Sequence, residues 1–397
     1  MHPVTKRLVI HIGGYDPISP PDSAYRRFLR ELKRFERTWS VKASVESPDI
    51  SPDEMKWTVT TTGPDWRVAS HYHLIRWDDV IQAQGREPLW RRLLIGIIAF
   101  LDFAFSGALW GYVRTNWHYA LFFLYPFVFF GLLVAFALAI GVAIGRADLL
   151  SGALAGTAAF AALLAGPWRW LHLANLFDDW IFSRNYIHVG CPALTHRLDR
   201  IAEQVIEAVR QSSVDEILLV GHSLGAVLAA DLVDKVLALQ PELGLSGPRF
   251  AFLTVGSSVL KIGLHRDAKN FRAALERVAC APGVFWADYQ ARVDVMNFPG
   301  INPMAAMALT SKAGPVVRLV EISRMLERAM YRQIRLRFFR LHCQFISGND
   351  RRAEYDYFML VCGPLDARYQ TMMPDGAKGA IGPDGAMLAS PLPGVCR

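Results

Sequence analysis

Ser223 is the residue around which covalent chemistry can be organised in this chain. It stands in Gly221-His222-Ser223-Leu224-Gly225, after the apolar run 217 to 220. Beyond the turn Val227, Leu228, Ala230, Leu232, Val233, Val236, Leu237 and Leu239 recur at helical spacing. The pattern reads as a buried strand, an abrupt turn and an amphipathic helix. Glycines two residues to either side of the serine remove side chains that would collide where the backbone doubles back. This is the G-x-S-x-G nucleophile elbow, which holds a hydroxyl in a strained turn with the first helical N–H groups directed at what it attacks. The chemistry it offers is acyl transfer, although an unreactive glycine-rich turn can carry the same five letters.

A serine hydroxyl is a poor nucleophile until a neighbouring base takes its proton, and that base needs a carboxylate to orient it. Two histidines follow Ser223, His265 and His342. His222 adjoins the nucleophile, but its ring is expected to point away from the serine, so it is assigned no catalytic role. His71 and His73 share one face of a strand, as two metal ligands would. No acidic or cysteine partner accompanies them at useful spacing, and a structural role is expected.

The elbow with its flanking strand and helix resembles that of lipases and esterases in the alpha/beta-hydrolase superfamily, in a membrane-anchored bacterial form. The resemblance covers roughly 5 to 85 and 185 to 365. It implies an α/β fold, a mostly parallel sheet with helices on both faces, interrupted here by an inserted transmembrane helical segment. In that family the chain order is serine, acid, histidine. His265 would leave only Asp231, Asp234 and Glu242, on or just past the elbow helix, to supply the acid, so the order selects His342. The family's acid sits in a loop just past a strand, which implies Asp294, with Asp288 as runner-up. The family's oxyanion hole takes one N–H from the residue after the nucleophile, here Leu224, and one from a loop after an early strand, here Gly14 or Tyr15. That loop, His11-Ile12-Gly13-Gly14-Tyr15-Asp16-Pro17, is shorter than the full His-Gly-Gly-Gly pattern, and an ordinary Gly-Gly turn reads equally well. The resemblance implies neither cofactor nor metal. It implies an acyl-ester or lipid-like substrate, while thioesters and amides use the same machinery. A scaffold that keeps the fold without turnover, and a channel regulated by the soluble part, are the readings from other classes.

The elements that must position these residues alternate between strand and helix. Strands are predicted at 7 to 12, 56 to 62, 67 to 74, 250 to 255 and 284 to 289. Helices are predicted from Ser23 to about Trp39, with Tyr25, Phe28, Leu29, Leu32 and Phe35 inward, at 194 to 209, and at 316 to 340. Such alternation calls for a mostly parallel sheet covered on both faces. Asp78 and Asp79 precede the nucleophile, so helix capping or a solvated turn suits them better than the role of acid. The Gly-, Pro- and Ala-rich end, 371 to 397, reads as a flexible tail.

The chain has 397 residues, 52% of them hydrophobic, and a formal charge of +7. Much of the apolar excess is local. Segments at about 93 to 113, 119 to 145 and 149 to 166 carry very few charges, and the first two are long enough to span a hydrocarbon core of ~30 Å. Trp90, Trp110, Trp117 and Tyr119 lie where an aromatic belt would. If the strands before and after belong to one sheet, the number of crossings is even; the first two segments are the expected pair, with the third at the interface or against its neighbours, and the second and third are the alternative pair. Arg86, Arg91 and Arg92 before the first segment, against a lone Arg114 after it, put the soluble part in the cytoplasm. Asp102 falls mid-segment, where it is expected to be neutral or bonded between helices, with no relay of ionisable partners. The domain boundaries follow: 1 to 89 and 171 to 370 for the two halves of the hydrolase part, 90 to 170 for the membrane insertion and 371 to 397 for the tail. Five cysteines without C-x-x-C spacing suit a reduced compartment, and 1 to 7 holds no secretory signal. Arg324, Arg328, Arg332 and Arg335 would form one stripe on the helix 316 to 340, either a solvated face or a surface for anionic head groups. No nucleic-acid module is legible, and neither is oligomeric state.

Overall fold

Strand β1 (Lys6–Ile12) is buried along nearly its whole length, as a run of Leu, Val and Ile at the middle of a sheet requires. In the computed structural model, which describes residues 3–16, 23–166, 173–211, 214–309 and 313–388, nine strands form one sheet. After β1 come β2 (Lys42–Val45), β3 (Asp49–Ile50), β4 (Glu54–Thr62), β5 (Arg67–Ile75), β6 (Glu216–His222), β7 (Arg249–Val255), β8 (Val284–Gln290) and β9 (Val316–Leu319). Their order is β2-β4-β5-β1-β6-β7-β8-β9, with β3 on β4. From β5 to β9 every pairing is parallel; β2, β3 and β4 form an antiparallel edge. The chain is therefore a mixed α/β protein with a mostly parallel sheet and helices around it.

The chain divides into two units, Met1–Ile81 with Pro192–Leu264 and Ala268–Arg397, and Gln82–Cys191 with His265–Asp267. In the first, α1 (Ser23–Trp39) buries Phe28, Leu32, Phe35 and Trp39. A buried ion pair ties the sheet centre to the C-terminal segment: Arg7 Nε meets Glu216 Oε2 at 2.7 Å, while its other nitrogens donate to the carbonyls of Gly363 and Leu365 at 2.8 and 2.7 Å. The glutamate's second oxygen accepts the Ala367 N–H at 2.7 Å. Both charges of this ion pair are thus hydrogen-bonded as well as paired, as burial demands.

Two expectations for this unit do not hold. Residues 316 to 340 are not one helix. Val316 and Val317 begin β9, where β-branched side chains fit a sheet, and helices Ile322–Met325, Arg328–Ile334 and Phe338–His342 follow. An extended residue, Leu326, separates the first two, so the four arginines form no single stripe. Residues 371 to 388 are not a loose tail. Ala377 and Ile381 are buried, and the Gly385 carbonyl accepts from Trp66 Nε1 at 2.9 Å. Residues 389 to 397 lie outside the described residues.

The second unit is helical: α2 (Asp78–Gly85) leads into it, followed by α3 (Leu89–Phe105), α4 (Ala108–Thr115), α5 (Trp117–Gly145), α6 (Leu149–Ala165) and α7 (Leu173–His188). It begins earlier and ends later than the predicted insertion, because α7 belongs with it. The segment 93 to 113 is bent by 64° between α3 and α4, where Gly107 takes a left-handed φ of 90°. Among the described residues one helix, α5, is long and apolar enough to cross a membrane; its 29 residues rise ~43 Å at 1.5 Å each. The glycine faces of α5 and α6 meet, with Gly152 against Gly141 and Gly145. Trp90, Trp110 and Trp117 are exposed, but Tyr119 is buried edge-on to Tyr112 and so is no part of a belt. Arg92 is paired with Asp178, which cancels one of the charges counted for orientation.

Candidate active site

With α8 taken as Pro192–Gln211 and α9 as Gly225–Leu239, the elbow is the turn where β6 runs into α9. Ser223 has a φ of 56°, a left-handed conformation rare for a residue with a side chain. Two hydrogen bonds hold it there: its N–H donates to the Val255 carbonyl at 3.2 Å, and its own carbonyl accepts the Ser258 N–H at 3.1 Å. The flanking glycines are steric necessities. A Cβ on Gly225 would stand 2.2 Å from the Ile12 carbonyl oxygen, and one on Gly221 2.4 Å from the Ala226 Cα.

His342 ends the short helix Phe338–His342, and its Nδ1 lies 2.7 Å from Asp294 Oδ2. Both residues are buried, at 3% and 1% exposure, and Ser223 at 8% sits just below the surface. The ring of His342 rests on the β7 exit: its Cε1 is 2.9 Å from where a Cβ on Gly256 would be, and Gly256 follows the residue that bonds Ser223. His342 Nε2 is buried without a hydrogen-bond partner among the described residues. Serine and histidine have therefore not closed their own hydrogen bond, a bond that commonly tightens only when substrate arrives.

Asp294, rather than Asp288, is the carboxylate on this histidine. Asn297 Nδ2 donates to Asp294 Oδ2 at 2.7 Å and the Met296 N–H to Oδ1 at 3.0 Å. Asn297 also donates to the Ala291 carbonyl at 3.1 Å, which pins the loop. Nothing in the sequence marks Asn297 beyond its place three residues after Asp294. Asp288 faces elsewhere, accepting from Thr254 Oγ1 at 2.7 Å and Gln290 Nε2 at 2.6 Å, and burial pushes its carboxyl up to about 6. Asp234 is paired with Arg277 at 2.7 Å, and Asp79 with Arg197 at 2.8 Å.

His222 packs over His342, ring centroids 4.7 Å apart, and burial holds its pKa well below the ordinary value, so it is a neutral wall of the site. The early loop reaches the serine: a Cβ on Gly14 would stand 2.7 Å from Ser223 Cβ and 3.2 Å from its Oγ. Trp77 Nε1 fixes that loop through the Gly13 carbonyl at 3.0 Å. Among the described residues neither the Leu224 nor the Gly14 amide is engaged in another hydrogen bond. The Tyr15 ring turns to Trp77, edge-on at 5.9 Å. His11, beyond the loop, is bonded at Nδ1 to the Tyr357 hydroxyl at 2.9 Å; burial, with the Arg27 charge, lowers its pKa to about 3.

His71 and His73 make separate contacts, with Thr58 Oγ1 at 3.4 Å and Glu54 at 3.6 Å, so His73 does meet an acid that its strand spacing concealed. Asp102 is bonded between helices, to His188 Nε2 at 2.8 Å, and His265 Nε2 and Arg184 Nε approach the same oxygen at 3.4 and 3.6 Å. The expected lack of ionisable partners is thus corrected. Ligand atoms of Asp102, His188 and His265 lie within 4.8 Å of one another, close enough to hold a metal ion. The tautomer opposes it: His265 Nδ1 accepts the Asp267 N–H at 3.2 Å, so the neutral ring carries its hydrogen on Nε2, the atom a metal would need. No protein family, no curated protein and no solved structure matches the chain.

Proposed function

We propose that the chain is a membrane-anchored serine hydrolase of the alpha/beta-hydrolase kind that cleaves an acyl ester through Ser223, His342 and Asp294. The observation that carries this reading is the 2.7 Å bond from His342 Nδ1 to a buried Asp294, beside a serine held at a φ of 56° on a strand-to-helix turn. Asp294 keeps the hydrogen on Nδ1, which leaves Nε2 as a lone-pair base. Ser223 Oγ attacks the ester carbonyl and its proton passes to Nε2. The Leu224 and Gly14 amides donate to the oxyanion, a contribution of about 3–4 kcal/mol per donor in enzymes of this type. Collapse expels the alcohol, which takes the proton from His342. Water then attacks the acyl-enzyme, with His342 again as base. Thioesters and amides would follow the same course.

The helical unit supplies the anchor. An even number of crossings returns the chain to the side where its sheet lies, and α5 needs one partner. The bent pair α3–α4 carries the polar cluster around Asp102, which is costly in hydrocarbon. α6 carries none; its 17 residues rise ~25 Å, and it lies against α5. We place the crossing at the α5–α6 hairpin, although α6 is shorter than a full span, with Arg86, Arg91 and Arg114 on the cytoplasmic side.

The test is covalent labelling of detergent-solubilised protein by a fluorophosphonate. Wild type is expected to label, while Ser223→Ala and His342→Ala are not. A folded wild type that neither labels nor turns over a small ester would leave a scaffold in place of an enzyme.

A further inference from the structure

Away from the serine, the first unit holds a cleft of about 1030 Å³ between the edge strand β9 and residues 351 to 378. Seven cationic side chains line it, against two carboxylates, Glu321 and Glu354. Both carboxylates are taken by one residue, Arg324, at 2.6 and 3.6 Å. Arg318 and Arg352 bond main-chain carbonyls, of Met373 at 3.0 Å and Pro383 at 2.9 Å, which fixes their guanidinium groups without neutralising them. Arg328 and Arg332, one turn apart on the helix Arg328–Ile334, make no ion pair among the described residues, and neither does Lys378. The cleft thus concentrates positive charge on a concave surface, where field lines focus on an entering anion.

A second observation is independent of charge. Gln370 lines the cleft and is 2% exposed, yet both its amide nitrogen and its amide oxygen lack a hydrogen-bond partner. A buried amide with neither end satisfied is rare, because it forfeits the bonds that water supplied before folding. A ligand with an acceptor and a donor would complete both.

We propose that this cleft binds a phosphate-bearing small molecule that also carries a hydroxyl or amino group, with Arg328, Arg332 and Lys378 meeting the phosphate and Gln370 the polar remainder. Guanidinium forks suit phosphate because they donate two parallel hydrogen bonds. The volume suits a nucleotide-sized ligand or a lipid head group rather than a simple ion. The two sources share one chemistry and are separated by experiment. Nothing in the proposal depends on turnover at Ser223.

The experiment is calorimetric titration of the full chain in non-ionic detergent at low salt with three probes: inorganic pyrophosphate, adenosine 5′-monophosphate and dioctanoyl phosphatidylglycerol. At least one is expected to bind with a Kd under ~100 µM, weakening as salt is raised. Arg328→Gln with Arg332→Gln, two exposed positions whose melting temperature should match wild type, is expected to weaken binding by about tenfold or more, and Gln370→Leu by about tenfold. Preference for the monophosphate would identify a soluble ligand, and preference for the phosphatidylglycerol a lipid head group. Absence of binding by all three probes, or equal binding by wild type and the double-arginine variant, overturns the proposal.

Discussion

Two carboxylates, Asp294 in one unit and Asp102 in the other, each meet histidine, and they do so differently. In the first unit a single imidazole meets Asp294, and its far nitrogen is left without a partner among the described residues. In the helical unit Asp102 Oδ2 is approached by His188, His265 and Arg184 together, and His265 has its other nitrogen bonded to a main-chain N–H. The residue types are the same; the unused lone pair is the difference. A base needs an acceptor nitrogen that nothing else occupies, next to a group worth deprotonating. The cluster at Asp102 ties helices together and offers no such nitrogen on His265.

Removing one histidine from each arrangement tests whether the two differ in kind. His342→Ala is expected to lower kcat/KM for a short-chain nitrophenyl ester by about 10³-fold or more, and His188→Ala to leave it within about threefold. Equal losses would mean that the two arrangements do not differ in kind.

Carboxylates come next. Asp294→Asn keeps the shape but favours the wrong tautomer of His342, and a fall in kcat of about 10²- to 10⁴-fold is expected. Asp288→Asn, which touches no histidine, should leave the rate within about threefold. A large loss from Asp288 together with none from Asp294 would reassign the acid. Smaller again is Gly14→Ala: a methyl at 2.7 Å from Ser223 Cβ must displace the loop or the serine, and about a tenfold loss in kcat with an unchanged melting temperature is expected. Full activity would show that the loop yields freely and that its amide is not held in place.

Why some of this was legible in sequence and some was not follows from the range of each interaction. The elbow is local in sequence: strand, turn and helix lie within 25 consecutive residues, from 215 to 239, and Gly221 is demanded by a contact inside the turn, to Ala226, although Gly225 is demanded by the distant Ile12 and Gly13 carbonyls. The central strands declared themselves through continuous apolar runs. The pairing of Asp294 with His342 spans 48 residues, and only the order of elements in a resembling family pointed to it. Asn297 carries no pattern that marks it, because its work is to bond a loop whose shape is set elsewhere. The helix expected at 316 to 340 does not form as one element because β8 offers Val316–Leu319 a parallel partner, which amphipathic spacing does not reveal. The bend at Gly107 was hidden for the opposite reason: an apolar segment reads as continuous whether or not one glycine breaks its helix. His188 and His265 are 77 residues apart in number, and no spacing rule joins them to Asp102.

The smallest effect concerns stability, and it separates Asp288 from Asp294, the acid bonded to His342. Burial raises Asp288 from the ordinary 3.8 to about 6. Its folded pKa exceeds its unfolded one, so the stability it contributes is fully present below about 3.8 and is lost as pH rises through about 6. Above that, folding must hold an ionised carboxylate away from water with only Thr254 and Gln290 as donors. Asparagine bears no charge at any pH and can still accept from one neighbour and donate to the other. Asp288→Asn is therefore expected to be more stable relative to wild type at pH 8 than at pH 5, by about 1–2 kcal/mol in urea unfolding. His11 and His222, held neutral by burial, weaken both proteins alike as pH falls below about 6.5, so they cancel in the difference. A difference between wild type and variant that stays flat from pH 5 to 8 would mean that Asp288 is solvated or paired, and that its burial costs nothing.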